Sequence, residues 1–234
     1  GANISIRLSD EFMEAVESKN QFELRYPVDS DSDRVVSRMV DAESLWEKII
    51  TSAHASAEPG LLFWDNVLKY TPAQIYHDEG FQTVSTNPCS EITLSAYDSC
   101  RLLLLNLTSF VDKPFTQESK FNFSKFSNYS KKAQRLMDDL IDLEIECIDN
   151  ILRKIESDPE SEEVKFTELN LWKKIRVAAI KGRRTGLGVT GLGDTLAMLG
   201  LTYGSPDSIE KTEEIYRELC ISSYLSSCNL AKER

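Results

Sequence analysis

Residues 102–111 form an apolar run, Leu-Leu-Leu-Leu-Asn-Leu-Thr-Ser-Phe-Val, broken by Asn106 and Thr108. A strand that is apolar at successive positions has both faces buried, which is the habit of parallel sheets and barrel walls. The run therefore fits a strand of a parallel sheet or barrel wall, and helical and strand patterns flank it. Residues 3–8 alternate polar and apolar as a short strand, and Ser9 or Asp10 caps a helix to about Ser18 with Phe12, Met13 and Val16 inward. Residues 22–26 alternate again, and the acidic stretch 27–34 reads as a hairpin or loop. A helix is predicted over 41–56 from Leu45, Trp46, Ile49, Ile50 and Ala53, with His54 as a structural histidine near its end. Glu58-Pro59-Gly60 breaks that helix. Residues 61–65 follow as an apolar strand or buried turn, with Phe63 and Trp64 in the core and Asp65 and Asn66 bonding locally.

Beyond the apolar run, residues 112–122 read as a connection. The longest helix is predicted over 130–157, with Leu136, Leu140, Ile141, Ile145, Ile148, Leu152 and Ile155 at helical spacing and Cys147 structural beside them. An acidic loop over 158–165 and a helix from Thr167 to Ile180 come next. The run Gly186-Leu187-Gly188-Val189-Thr190-Gly191 matches the spacing of a dinucleotide fingerprint, but that fingerprint needs a buried strand before it. Residues 181–185 are short, basic and polar, so the glycines are read as permitting close backbone approach. Gly200 stops a helix begun near Thr195, and Ser205-Pro206 starts the last one, carrying Ile209, Ile215, Leu219 and Leu225. Cys220 and Cys228 lie about two turns apart on it, too far for a mutual disulfide, and are assigned to core or interface packing.

The chemistry-bearing stretch is Ser85-Thr86-Asn87-Pro88-Cys89-Ser90-Glu91-Ile92, with a second cysteine in Tyr97-Asp98-Ser99-Cys100-Arg101-Leu102, at the start of the predicted strand. If the first segment is extended, Asn87, Cys89 and Glu91 project from one side. A carboxylate raises a neighbouring thiol's pKa and the segment holds no His, Lys or Arg, so Cys89 suits a neutral role. Two such roles are open: packing as a small apolar group, or giving up a hydrogen atom to become a thiyl radical. The carboxylate of Glu91 could accept a proton, and Asn87 could hold its neighbour by hydrogen bonds.

Ser-Thr-Asn-Pro-Cys-Ser-Glu-Ile, with Asp-Ser-Cys-Arg-Leu and Asn106-Leu107 after it, closely resembles the active-site loop of ribonucleotide reductase catalytic subunits. The cysteine spacing is most similar to the adenosylcobalamin-dependent class. Asn-Ile-Ser-Ile-x-Leu-Ser-Asp-Glu-Phe-Met, Glu-Pro-Gly-x-x-Phe-x-Asp and the glycine run also resemble that family, so the likeness spans most of residues 3–234. It implies a partial ten-stranded α/β barrel of the kind shared with glycyl-radical enzymes, a single partial domain over 1–234 with a central finger loop at about 85–100. It further implies that Cys89 becomes the thiyl radical that takes the ribose 3′-hydrogen, that Glu91 is the base at the 3′-hydroxyl, and that Asn87 hydrogen-bonds substrate. Cys100 is implied as half of a redox pair left as a disulfide. Ser90 departs from the glycine found in many members. The partner of Cys100, the specificity site, the phosphate loop and the C-terminal reducing cysteines are not found, so a fragment or one part of a split enzyme is expected, inactive alone. The first residues, Gly1-Ala2 without Met, agree with that expectation.

The implied activity is reduction of ribonucleotides to deoxyribonucleotides for DNA synthesis. Diphosphate and triphosphate substrates both remain open. Implied partners are the ribonucleotide, the rest of the barrel, a thioredoxin-like or dithiol reductant and a second copy of the parent. Adenosylcobalamin is the implied cofactor, the alternative being a radical from a separate metal-containing subunit. Two further readings are a non-catalytic regulatory or split-subunit partner and a two-cysteine redox protein joining Cys89 to Cys100. The net charge of −11, from 27 basic and 38 acidic residues, argues against a nucleic-acid footprint. The longest pure apolar run, 102–105, is too short for a membrane, and residues 1–8 lack a signal-peptide pattern, so a cytoplasmic location is expected. Five cysteines without a C-x-x-C, and two distant histidines, make a zinc site unexpected and suit a reducing compartment.

Overall fold

The computed structural model describes residues 3–28 and 34–234, so the predicted 27–34 turn lies largely outside the described residues. The chain forms two compact units, Gly1–Ala96 and Tyr97–Arg234.

In the first unit, β1 (Ser5–Leu8) leads through Ser9 into α1 (Asp10–Glu17), and the Ser9 hydroxyl accepts the Phe12 N–H at 3.1 Å as the predicted cap. β2 (Gln21–Tyr26) pairs antiparallel with β3 (Val36–Asp41), a strand with no prediction from sequence. Its solvent-facing Val36 and Met39 blur the two-residue period that marks a strand. Asp41 then caps α2 (Ala42–Ser56), accepting the Ser44 N–H at 2.8 Å. β4 (Gly60–Phe63) pairs parallel with β1, and the Ser5 hydroxyl lies 2.7 Å from where a side chain at residue 60 would begin. Leu8, Phe12, Ala42 and Ile49 form the core, with Phe22 edge-on to Phe12.

α3 (Trp64–Tyr70) corrects the local turn expected at Asp65, whose carboxylate instead accepts the Asp10 N–H at 2.6 Å, placing negative charge at the α1 N-terminus. Phe63 is exposed and Trp64 half-buried beneath the Arg7 guanidinium, so the pair is not the buried core expected; His54 is likewise exposed. A 3₁₀ segment over Pro72–Glu79 leads to the hairpin of β5 (Thr83–Thr86) and β6 (Thr93–Ser95).

In the second unit, β7 (Leu102–Asn106) gives way to a 3₁₀ turn at Leu107–Phe110, because the Asn106 side chain accepts the Thr108 N–H and caps it. The hairpin of β8 (Val111–Asp112) and β9 (Lys120–Phe121) precedes α4 (Phe123–Ser157). α4 begins a full two turns before the predicted start, with Asn122 as cap. α5 (Glu162–Gly182) begins at a Ser161 cap rather than Thr167, whose hydroxyl donates to the Glu163 carbonyl inside the helix. β10 (Gly186–Thr190), α6 (Leu192–Met198) and α7 (Pro206–Glu233) complete the unit.

β10 pairs in parallel with β7 from Gly186 opposite Leu102 to Thr190 opposite Asn106. The glycine run is therefore itself the strand, not a phosphate loop following one. A β-carbon on residue 188 would meet the Leu104 side chain at 2.9 Å. At residue 191, with φ +76, it would meet Asn106 Oδ1 at 2.9 Å. Close approach is the service these glycines perform. The expectation that β7 is buried on both faces is corrected, since Leu102 and Leu104 are each 57% exposed while Leu103 and Leu105 turn inward. Only β10 flanks this strand among the described residues, so one face stays open.

The core beneath is aromatic, Phe110, Phe121 and Phe126 meeting edge-on or tilted with centroids 5.0–6.2 Å apart, closed by Leu107, Ile215 and Leu219. α4 buries Phe126, Ala133, Met137, Ile141, Ile148 and Ile155, but Leu136 and Leu140 of its predicted stripe are exposed. Ser127, Ser222 and Ser226 let α4 and α7 approach closely: Ser127 and Ser222 share a hydrogen bond of 2.7 Å, and Ser226 donates to the Lys131 carbonyl at 2.9 Å. Ile209 and Leu225 of the α7 stripe are exposed, as is Cys147, read as structural; Cys220 and Cys228 are exposed too, which removes the core half of their expected core-or-interface packing. Replacing Ile215 by Ala should cost about 2–5 kcal/mol in urea denaturation and Ile209→Ala under about 0.5 kcal/mol. Equal losses would contradict this packing.

Candidate active site

The tip between β5 and β6 is a closed turn, which corrects the extended geometry expected for residues 87–92. Pro88 supplies a fixed φ without an N–H to satisfy, and Ser90 returns its N–H to the Asn87 carbonyl at 3.0 Å. Asn87 also donates its own N–H to the Ile92 carbonyl at 3.1 Å, while its Oδ1 accepts the Ile92 N–H at 2.9 Å. Three groups of one residue thus fasten both ends of the loop. The signal for this was present in the Asn-Pro pair, since Asn bonds nearby backbone and Pro favours turns.

Asn87 and Glu91 do come together, though through the turn rather than by strand alternation. The Asn87 amide hydrogen-bonds the Glu91 carboxylate and holds its pKa below the ordinary value, with the Glu91 backbone N–H acting the same way. Glu91, like any exposed carboxylate, is an anion at neutral pH and can accept a proton. Cys89 is exposed at the apex, between the half-buried Asn87 and the exposed Glu91. Ser90 has φ 69, in the left-handed region where a β-carbon is strained. Glycine would adopt this conformation without that strain.

Below the tip, Thr83 stands opposite Ser95, and both buried hydroxyls lack a hydrogen-bond partner. Thr71 and Thr93 share a hydrogen bond of 2.5 Å nearby.

Cys100 belongs to the second unit, half-buried two residues before β7. Its surroundings are ionic, and sequence reading did not reveal them, because the partners lie 43 to 86 positions away. Asp98, with a side chain 5% exposed, accepts from Arg184 at 2.6 Å. Glu144 of α4 accepts from both Ser99, at 3.2 Å, and Arg101. Arg183, at the C-cap of α5 with φ 40, pairs with Asp138 and Asp142 at 2.7 Å. Both arginines of the glycine run are thus engaged by carboxylates.

The profile of the family "Ribonucleotide reductase, barrel domain" matches residues 1–234. The chain belongs to the ribonucleotide reductase barrel-domain family. Among curated relatives, it is 29% identical to a vitamin B12-dependent ribonucleoside-diphosphate reductase of Mycobacterium tuberculosis, over 99% of this chain and 28% of that protein. It is 28% identical to the protein of the same name from Thermoplasma acidophilum, over 99% of this chain and 26% of the relative. The chain spans about a quarter of the length of these relatives. The class Id ribonucleotide reductase alpha subunit of Actinobacillus ureae superposes with a TM-score of 0.62 at 18% identity, covering 98% of this chain and 36% of that one. The fold is therefore a part of the reductase barrel, and the paired strands described above are segments of it; none of the sheets closes among the described residues. The family resemblance read from the finger-loop motif is borne out.

Two measurements probe this turn. Ser90→Gly should stabilise the chain by up to about 1 kcal/mol in denaturant, because it relieves a left-handed β-carbon at some cost in chain entropy; a clear loss would contradict the turn. Asn87→Ala removes a hydrogen bond to the charged form of Glu91, so the Glu91 titration, followed by its carboxyl-carbon NMR shift, should move to higher pH. An unmoved titration would remove the Asn87–Glu91 bond from the account.

Proposed function

We propose that this chain supplies the radical-bearing finger loop of a ribonucleotide reductase acting on ribonucleoside diphosphates. The observation that carries the reading is the hairpin tip, where an exposed thiol, an ionised carboxylate and an amide are held within one closed turn. The substrate class follows the printed names of the M. tuberculosis and T. acidophilum relatives.

In this reading the Cys89 thiyl takes the ribose 3′-hydrogen atom. Glu91 accepts the proton of the 3′-hydroxyl, a task open to an ionised carboxylate. One amide N–H of Asn87 serves Glu91, and the second is left for a substrate hydroxyl. The 2′-hydroxyl leaves as water when Cys100 and a partner thiol give up two electrons and two hydrogens and become a disulfide, which a dithiol reductant must reopen. Cys89 then returns the hydrogen atom to C3′ and Glu91 the proton to the 3′-oxygen, so the net change is one C–O bond replaced by C–H, one water formed and two thiols oxidised to a disulfide. The partner thiol, the remaining barrel and a second copy of the parent are assigned to the complete enzyme, residues 1–234 being one partial domain of it in the cytoplasm.

The relatives' names point to adenosylcobalamin. Its fit to this chain rests on Cys89, whose exposure at a hairpin apex leaves the thiol reachable. When bound, the cofactor supplies the radical that removes the thiol hydrogen; no residue of this chain is assigned to holding it.

The test is ribonucleoside diphosphate reduction by the reductase containing this chain, given adenosylcobalamin and no second subunit. Wild type should form deoxynucleotide, and Cys89→Ser should form none while keeping its fold. Turnover that survives Cys89→Ser would remove the radical assignment. Wild-type turnover that appears only after a metal-containing subunit is added would remove the cobalamin.

A further inference from the structure

The segment that delivers Cys100 is fastened on both sides of the cysteine. Tyr97 has φ 61, and its hydroxyl accepts from Lys174 at 3.4 Å, while the same ammonium lies 5.2 Å from its ring centroid. Asp98 is bound by Arg184 at 2.6 Å. Ser99 donates to one carboxylate oxygen of Glu144, and Arg101 donates to the other. Arg101 further donates to the Arg184 carbonyl at 3.1 Å, and its own carbonyl accepts the Gly186 N–H at 2.8 Å, at the entry to β10. One carboxylate therefore spans the residue between its two partners, and that residue is Cys100. The Arg101 side chain is 9% exposed and that of Glu144 29%, so this pair is screened less than a surface ion pair.

We propose that Glu144 is a positioning residue for Cys100. It sets where the thiol points and balances the Arg101 charge beside it, so that the cysteine can alternate between thiol and disulfide without the segment shifting. The inference rests on the redox reading of Cys100 given above. The observation behind it is that one carboxylate holds both residues flanking the cysteine, which fixes the backbone that carries the thiol.

Alkylation of the chain with iodoacetamide across a pH series, read residue by residue from peptide masses, tests this. Charged groups anchored to the segment from other elements are Glu144, Arg184 and Lys174, with Asp98 and Arg101 on the segment itself. Glu144→Gln removes the anion and leaves Arg101 unpaired beside the thiol, so the pH midpoint of Cys100 labelling should fall and its rate at neutral pH should rise severalfold. Cys228, exposed on α7, should be unmoved. Exchanging the charges, Glu144→Arg with Arg101→Glu, should return the midpoint toward wild type. An unmoved Cys100 midpoint in Glu144→Gln, or one that moves together with Cys228, would overturn the proposal. Should Glu144→Gln fail to fold, Glu144→Asp keeps the charge but loses the span. Faster Cys100 labelling is then expected, and wild-type labelling would overturn the proposal.

A parallel assay separates this inference from its premise. If Cys100→Ser in the complete reductase sustains turnover on dithiol, the redox reading falls while the positioning result stands. If Cys100→Ser stalls and Glu144→Gln leaves labelling unchanged, the positioning falls alone.

Discussion

Asn87 spends its backbone N–H, its carbonyl and its side-chain oxygen on closing one hairpin tip, and its amide lowers the pKa of the neighbouring Glu91 carboxyl. The roles assigned to Cys89 and Glu91 depend on that closure. A thiol and a carboxylate on an open strand would sample many separations, and catalytic groups lose effect steeply when misplaced by about 1 Å. The turn fixes their spacing with backbone hydrogen bonds, which need no help from a distant element. The cost falls on Ser90, held in a left-handed conformation. Strain of this kind collects at functional sites, where the surrounding bonds over-determine the backbone.

The second unit uses a different means to the same end. Around Cys100, the fastening is by ion pairs from Glu144 and Arg184 instead of backbone closure. An edge-to-face phenylalanine core anchors the end of β7 and the start of α4. Close approach at residues 188 and 191 then allows β10 to run beside β7 without side chains wedging them apart.

The parts legible in sequence were those governed by local chemistry. The helix starts at Ser9 and Ser205 stand where their hydroxyl signals put them, and the glycine run is recognisable as backbone approach because no buried strand precedes it. The finger-loop motif was specific enough to indicate the family. Four things escaped, each for a physical reason. β3 carries exposed Val36 and Met39, which break its alternation. The apolar stripes of α4 and α7 are wider than the faces their neighbours cover, so Leu136, Leu140, Ile209 and Leu225 could not be told from buried positions by spacing. The tip at 87–92 alternates like a strand, but the Asn87-Pro88 pair closes it by turn chemistry. The Glu144 bridge depends on residues far apart in the chain, which no local pattern joins.

The central claim is that the tip thiol takes a hydrogen atom from the ribose. Reducing an equimolar mixture of ordinary and 3′-deuterated ribonucleoside diphosphate with the reductase that contains this chain tests it directly. The account predicts that the deoxynucleotide product is depleted in the deuterated species, and that Cys89→Ser gives no product from either. Product formed without discrimination between the two, at a rate unchanged by Cys89→Ser, would contradict it.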